Sequence, residues 1–214
     1  MKYSLETILQ AQFSIAFTLV IQLALVTMMF ADFSAGMFFS VTDAPNLGVL
    51  ISRLCCAMIM HMQTEQYVRF GLNMMKYAIN HHHEFSVPFL AASTGFFYSL
   101  ITMGISLACI IKMCTQTSFI DTLSSYVSYT AISFLPNFVY LCLPIGAPLK
   151  PASPDLFTTI HKRQIEKRPP AIYIMLFFYR VIRIIYGSVW FYFHPVFALV
   201  MPFVTHVVDT RNFS

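Results

Sequence analysis

Charge is what this sequence has least of. Only 10% of its 214 residues are Asp, Glu, Lys or Arg, against about 25% in an ordinary soluble domain. Hydrophobic residues make up 57%. A soluble chain of this length could not hide that much apolar surface, so lipid is expected to cover it. Cysteine is too scarce and too irregular for a disulfide framework. Of the five, Cys55 and Cys56 are neighbours, Cys109 and Cys114 fall near one helix end, and Cys142 stands alone. Within apolar segments they read as small hydrophobic side chains, and no spacing among them fits a zinc site. No basic run interleaved with base-stacking aromatics occurs and the net charge is only +4, which argues against a nucleic-acid partner. A nucleophile elbow, a phosphate loop and a paired-carboxylate site are all missing, so the chain reads as non-catalytic and without a cofactor.

What is present is helix-forming apolar sequence. The stretch Leu47 to Asn80 contains no proline, and its first half is apolar apart from Arg53. In its second half His61, Glu65, Arg69 and Asn73 recur every fourth residue, while Met58, Met62, Leu72, Met75 and Ile79 are expected to line another side. That is a helical period. As one helix it would extend roughly 51 Å at 1.5 Å per residue, more than a bilayer core requires. It therefore either crosses the membrane over 47–62 and continues as an amphipathic extension to 80, or lies in the interface throughout.

Around it the expected spans are 13–31, 86–112, 118–143 and 184–207, in a single membrane domain covering 1–214. Lys2 before the apolar core of 13–31 resembles a signal peptide, but the core is long and no small-x-small cleavage site follows, so a retained anchor is expected. Asp43, Pro45 and Asn46 supply a turn and helix start. Pro88 suits the first turn of the next helix. Ser93, Gly95, Ser99, Gly104, Ser106 and Ala108 are small residues of the kind that let helices approach closely in lipid. The hop through Cys114 and Gln116 is so short that the following helix must pack antiparallel. Residues 146–170 are the one aqueous loop, rich in proline. From 171 the chain is apolar again; an interfacial portion with Arg180 and Arg183 is expected to precede the last span, interrupted by Pro195 and Pro202.

The fold expected is thus all-α: a multi-pass protein of four to five membrane-crossing helices plus a long amphipathic interfacial helix. With five crossings, Lys2, Arg69, Lys76 and the loop cations share one side against Lys112 and Arg211, a positive-inside bias that puts loop 146–170 on the cytoplasmic or matrix side.

Ionisable residues near a membrane core are the first functional suspects. Arg53 and His61 share a face of the central helix, and Asp121, in the first turn of its own helix, is a candidate carboxylate partner. Together they could line a polar path for protons or ions, or they could fix helix register. Arg180 and Arg183, flanked by Tyr179, Tyr186 and Trp190, describe an interfacial anchor, and with Lys162, Arg163, Lys167 and Arg168 they are candidate contacts for anionic lipid. His81, His82, His83 and Glu84 invite a metal reading, but consecutive histidines on a helix end splay apart. His61 and His194 could in principle ligate haem, yet nothing in their spacing pairs them.

Three runs carry a family resemblance. HMQTEQYVRFGLNMMKYAINH, QTSFIDTLSSYVSYTAISFLPNFVY and YRVIRIIYGSVWFYFHPVFALVMPF, within residues 53–82, 116–140 and 179–203, resemble segments of predicted multi-pass membrane proteins of ciliates and related protists. The resemblance implies architecture and no activity. Members tend to carry acidic residues where this chain has Pro136 and Asn137, so a cation-handling role for those acids does not transfer. The expectation is a structural or accessory subunit of a larger membrane complex, in contact with lipids and with other subunits or copies of itself. The alternative is an ion or proton channel or transporter formed as a homo-oligomer.

Overall fold

The computed structural model describes residues 5–34, 44–82, 87–135 and 170–201. All regular structure among them is helical: α1 (Leu5–Ser34), α2 (Leu47–Asn80), α3 (Pro88–Cys114), α4 (Phe119–Ser133) and α5 (Pro170–Met201). By length and composition α2, α3 and α5 are each sufficient to cross a membrane, and α1 contributes a shorter apolar stretch, Ala16–Ala31.

Local chemistry sets the helix ends. Asn46 is extended and its Oδ1 accepts the Val49 N–H at 2.9 Å, satisfying one of the donors that a helix start leaves open. Pro88 begins α3, where its missing N–H costs nothing. At α4 the Ser118 hydroxyl accepts the Asp121 N–H and donates to the Asp121 carboxylate at 2.8 Å, a reciprocal cap.

α2 is the centre of the bundle. It packs on α3, α4 and α5, and its buried residues run from Val49 to Ile79. α3 and α5 both run antiparallel to it. Gly71 of α2 meets Gly95 and Ser99 of α3, and further along Thr64 meets Ser106. The Gly71–Gly95 crossing is backbone against backbone: a Cβ built on Gly95 would lie 2.6 Å from the Gly71 carbonyl oxygen. Gly104 faces the other way, toward Val26 of α1. The small residues of α3 thus serve two neighbours. On α2, Leu72, Met75 and Ile79 are buried, whereas Met58 and Met62 are exposed. The five residues expected to share a side therefore do not, because α5 packs over Leu72, Met75 and Ile79 while no described helix covers Met58 and Met62.

α5 is one helix from Pro170 to Met201, with no break before residue 184. Arg180 and Arg183 sit on its exposed side, so their charge demands no interruption. The helix instead changes pitch, with a π turn at Tyr186–Trp190 and a 3-10 turn at His194–Val196. Pro195 accounts for the 3-10 turn, since it has no N–H to donate and its ring crowds the carbonyl four residues back. The wider turn lets Tyr186, Trp190, His194 and Ala198, each four residues on from the last, stay against the bundle where an ideal 3.6 period would rotate them away. The parts of the expected spans over 136–143 and 202–207, and the loop 146–169, lie outside the described residues.

Candidate functional site

Two places concentrate polar chemistry. The first is a seam between α2, α3 and α5. His194 Nε2 and Ser106 Oγ are 2.6 Å apart, and Ser106 lies 3.4 Å from Thr64 Oγ1, which also donates to the Met60 carbonyl at 2.8 Å. The His61 ring packs on His194 with centroids 5.3 Å apart, Trp190 stacks on His194 at 4.7 Å, and Phe191 meets His61 edge-on. Neither His61 Nδ1 nor His194 Nδ1 has a hydrogen-bond partner among the described residues. One and two turns on from His61, Glu65 and Arg69 form an ion pair. Among the described residues no three His, Cys, Asp or Glu side chains are grouped closely enough to hold a metal ion.

The second place is beside the C-terminal end of α2. Between the last turn of α2 and the middle of α5 is a cavity of about 600 Å³. Three of its lining side chains are cations: Lys76 from α2, and Arg180 and Arg183 from α5. Among the described residues no carboxylate lines it; Tyr179, Ser188 and Asn80 supply the other polar groups. At Gly187 the wall is open: a methyl group added there would meet nothing within 4 Å.

The residues singled out from sequence fall in different places. Arg53 is 1% exposed and donates from Nη2 to the Gln116 carbonyl at 2.7 Å, clamping the α3–α4 turn onto α2. His61 lies in the seam. Asp121 is exposed and engaged with Ser118, and it pairs with neither Arg53 nor His61. Arg180 and Arg183 share the cavity with Lys76, whereas Lys162, Arg163, Lys167 and Arg168 fall outside the described residues. Of the histidine run, His81 stacks on Tyr77 at 4.5 Å, and His83 and Glu84 also fall outside the described residues. The structure therefore separates Arg53, His61 and Asp121 and joins two groups the sequence left apart: His61 with His194, and Lys76 with Arg180 and Arg183. The fourfold recurrence from Tyr186 to Ala198 was the one available signal for the first. The second follows only from the antiparallel docking of α2 and α5.

No family model, no curated protein and no solved structure matches this chain.

Proposed function

We propose that the chain is a non-catalytic integral membrane protein that acts as a structural or accessory subunit of a larger membrane assembly. The observation that carries this reading is the use made of the interior polar groups. Arg53 reaches the Gln116 carbonyl, Gln22 donates to the Ile132 carbonyl at 3.1 Å, Ser106 holds His194, and Tyr126 donates to Gln63 at 3.3 Å. Each of these ties a helix to another helix or, for Arg53, to the turn between two, which is the work polar side chains do in packing helices within lipid. The outer face of α5 supports the same reading. Phe177, Ile184, Val189, Tyr192 and Phe193 are exposed along it, an apolar strip for lipid or a neighbouring subunit.

Five crossings fit this packing best, because α2 stands at the bundle centre and an interfacial helix would not. The Lys76 end of α2 and the Pro170 end of α5 would then face the cytoplasm or matrix, and Lys112 the opposite compartment. Cysteine placed at Lys76 or at Lys112 is expected to react with a membrane-impermeant maleimide from opposite sides, scored against the parent chain because its described cysteines are free. Labelling from the same side would end this topology.

A homo-oligomeric proton or ion path is the second reading, and the buried seam of His61, His194, Ser106 and Thr64 is the observation in its favour. Reconstituted alone in vesicles, the chain is expected to leave proton and potassium gradients intact. A flux abolished by His194→Ala would favour the path over the subunit.

A further inference from the structure

We infer that the cavity between α2 and α5 binds the headgroup of an anionic phospholipid, with Lys76, Arg180 and Arg183 holding its phosphate. The three cations come from two helices and converge on one concavity that no carboxylate of the described residues lines, and none of the three is paired with any carboxylate of those residues. Like charges gathered in this way repel unless an anion is brought among them. The polar neighbours are suited to the same ligand: the hydroxyls of Tyr179 and Ser188 can donate to phosphate oxygens, and guanidinium groups bind phosphate in a planar fork.

The remaining wall favours a lipid over a free anion. Ile79, Leu176 and Ile184 line the cavity beside the cations, and Ile184 is also part of the exposed apolar strip of α5. An acyl chain leaving the cavity at Ile184 would run onto a surface already suited to hydrocarbon. The depth is appropriate too. Lys76 lies about one turn from the end of α2, and Arg180 and Arg183 lie roughly three to four turns into α5, from where long cationic side chains reach toward the headgroup level. Three cations at one site select a headgroup with more than one negative charge, such as a phosphomonoester, over a zwitterion.

This inference rests on the membrane reading but not on the subunit reading. The full-length protein is exchanged into nanodiscs or mild detergent with defined lipid, and bound lipid is counted by native mass spectrometry. Phosphatidic acid is compared with phosphatidylcholine, and inorganic phosphate serves as competitor. The parent is expected to retain phosphatidic acid selectively. Lys76→Gln, Arg180→Gln and Arg183→Gln should each lower retention about five-fold, and the triple variant about 100-fold. Lys112→Gln, at the other end of the bundle, is expected to bind as the parent does, and all variants should share its thermal stability. No preference for phosphatidic acid, or an equal loss in Lys112→Gln, would overturn the site. Displacement by millimolar inorganic phosphate would overturn the lipid as occupant, since a free anion would then suffice. Failure to retain any lipid, zwitterionic included, would count against the membrane reading itself and is distinguishable from a lost preference.

Discussion

Leucine in place of Gly95 is expected to leave the chain unable to assemble its bundle. Even the alanine variant places a methyl carbon 2.6 Å from the Gly71 carbonyl oxygen, 2.9 Å from Met75 Cγ and 3.0 Å from the Met75 nitrogen. Two of these are backbone atoms, so the relief must come from helix separation rather than from a side-chain rotation. A helix interior gains about 1 kcal/mol when glycine becomes alanine, but overpacking costs about 1–3 kcal/mol and here acts along the most extensive helix contact among the described residues. Loss should win, so Gly95→Ala is expected to be destabilised by about 1–2 kcal/mol, with Gly71→Ala similar because its methyl lies 2.7 Å from the Gly95 oxygen. Gly187→Ala, with nothing within 4 Å, is the control and should be neutral or slightly stabilising. Thermal unfolding in mild detergent, followed by circular dichroism, distinguishes these. A Gly95→Leu protein that melts with the parent would show that α2 and α3 do not cross at this point.

The second large effect is expected at Arg53. Truncation to alanine empties the volume of one of the largest fully buried side chains and leaves the Gln116 carbonyl without the donor that now lies 2.7 Å away. A large-to-small core substitution costs about 2–5 kcal/mol, and an orphaned buried acceptor about 1–3 kcal/mol. Relief from holding a desolvated charge offsets part of this, and a net loss of about 3 kcal/mol is expected. Arg53→Met separates the contributions. It fills much of the space and removes both the bond and the buried charge, so its loss should be nearer 1 kcal/mol or vanish. Equilibrium unfolding of the two variants in one detergent tests this directly. Alanine and methionine variants of equal stability would mean that Arg53 is not packed in the bundle.

These two positions also show how far the sequence could be read. Gly95 and Ser99 were legible as a close-approach face because small residues leave a compositional mark. The Pro45–Asn46 turn, the Pro88 start and the short α3–α4 hop were legible for the same reason: each is local chemistry. Arg53 was legible as a suspect, but its partner was not. The acceptor is a backbone carbonyl, which every residue carries, whereas Asp121, the carboxylate the sequence offers, is occupied with its own helix cap. The His61–His194 contact joins distant parts of the chain and depends on a π turn that shifts the phase of α5. A periodicity read at 3.6 residues per turn does not carry across such a shift. Lys76 was likewise legible only as one of the cations that set the topology; its grouping with Arg180 and Arg183 exists only once α2 and α5 lie antiparallel.

This bundle is proposed to work through its surfaces within a membrane assembly. Native mass spectrometry of the tagged protein, purified from its own membranes in mild detergent, tests that most directly. Stoichiometric, unrelated subunits bound to the chain are the expected result. A clean homo-oligomer that carries ions when reconstituted would contradict the account and assign the His61–His194 seam to conduction.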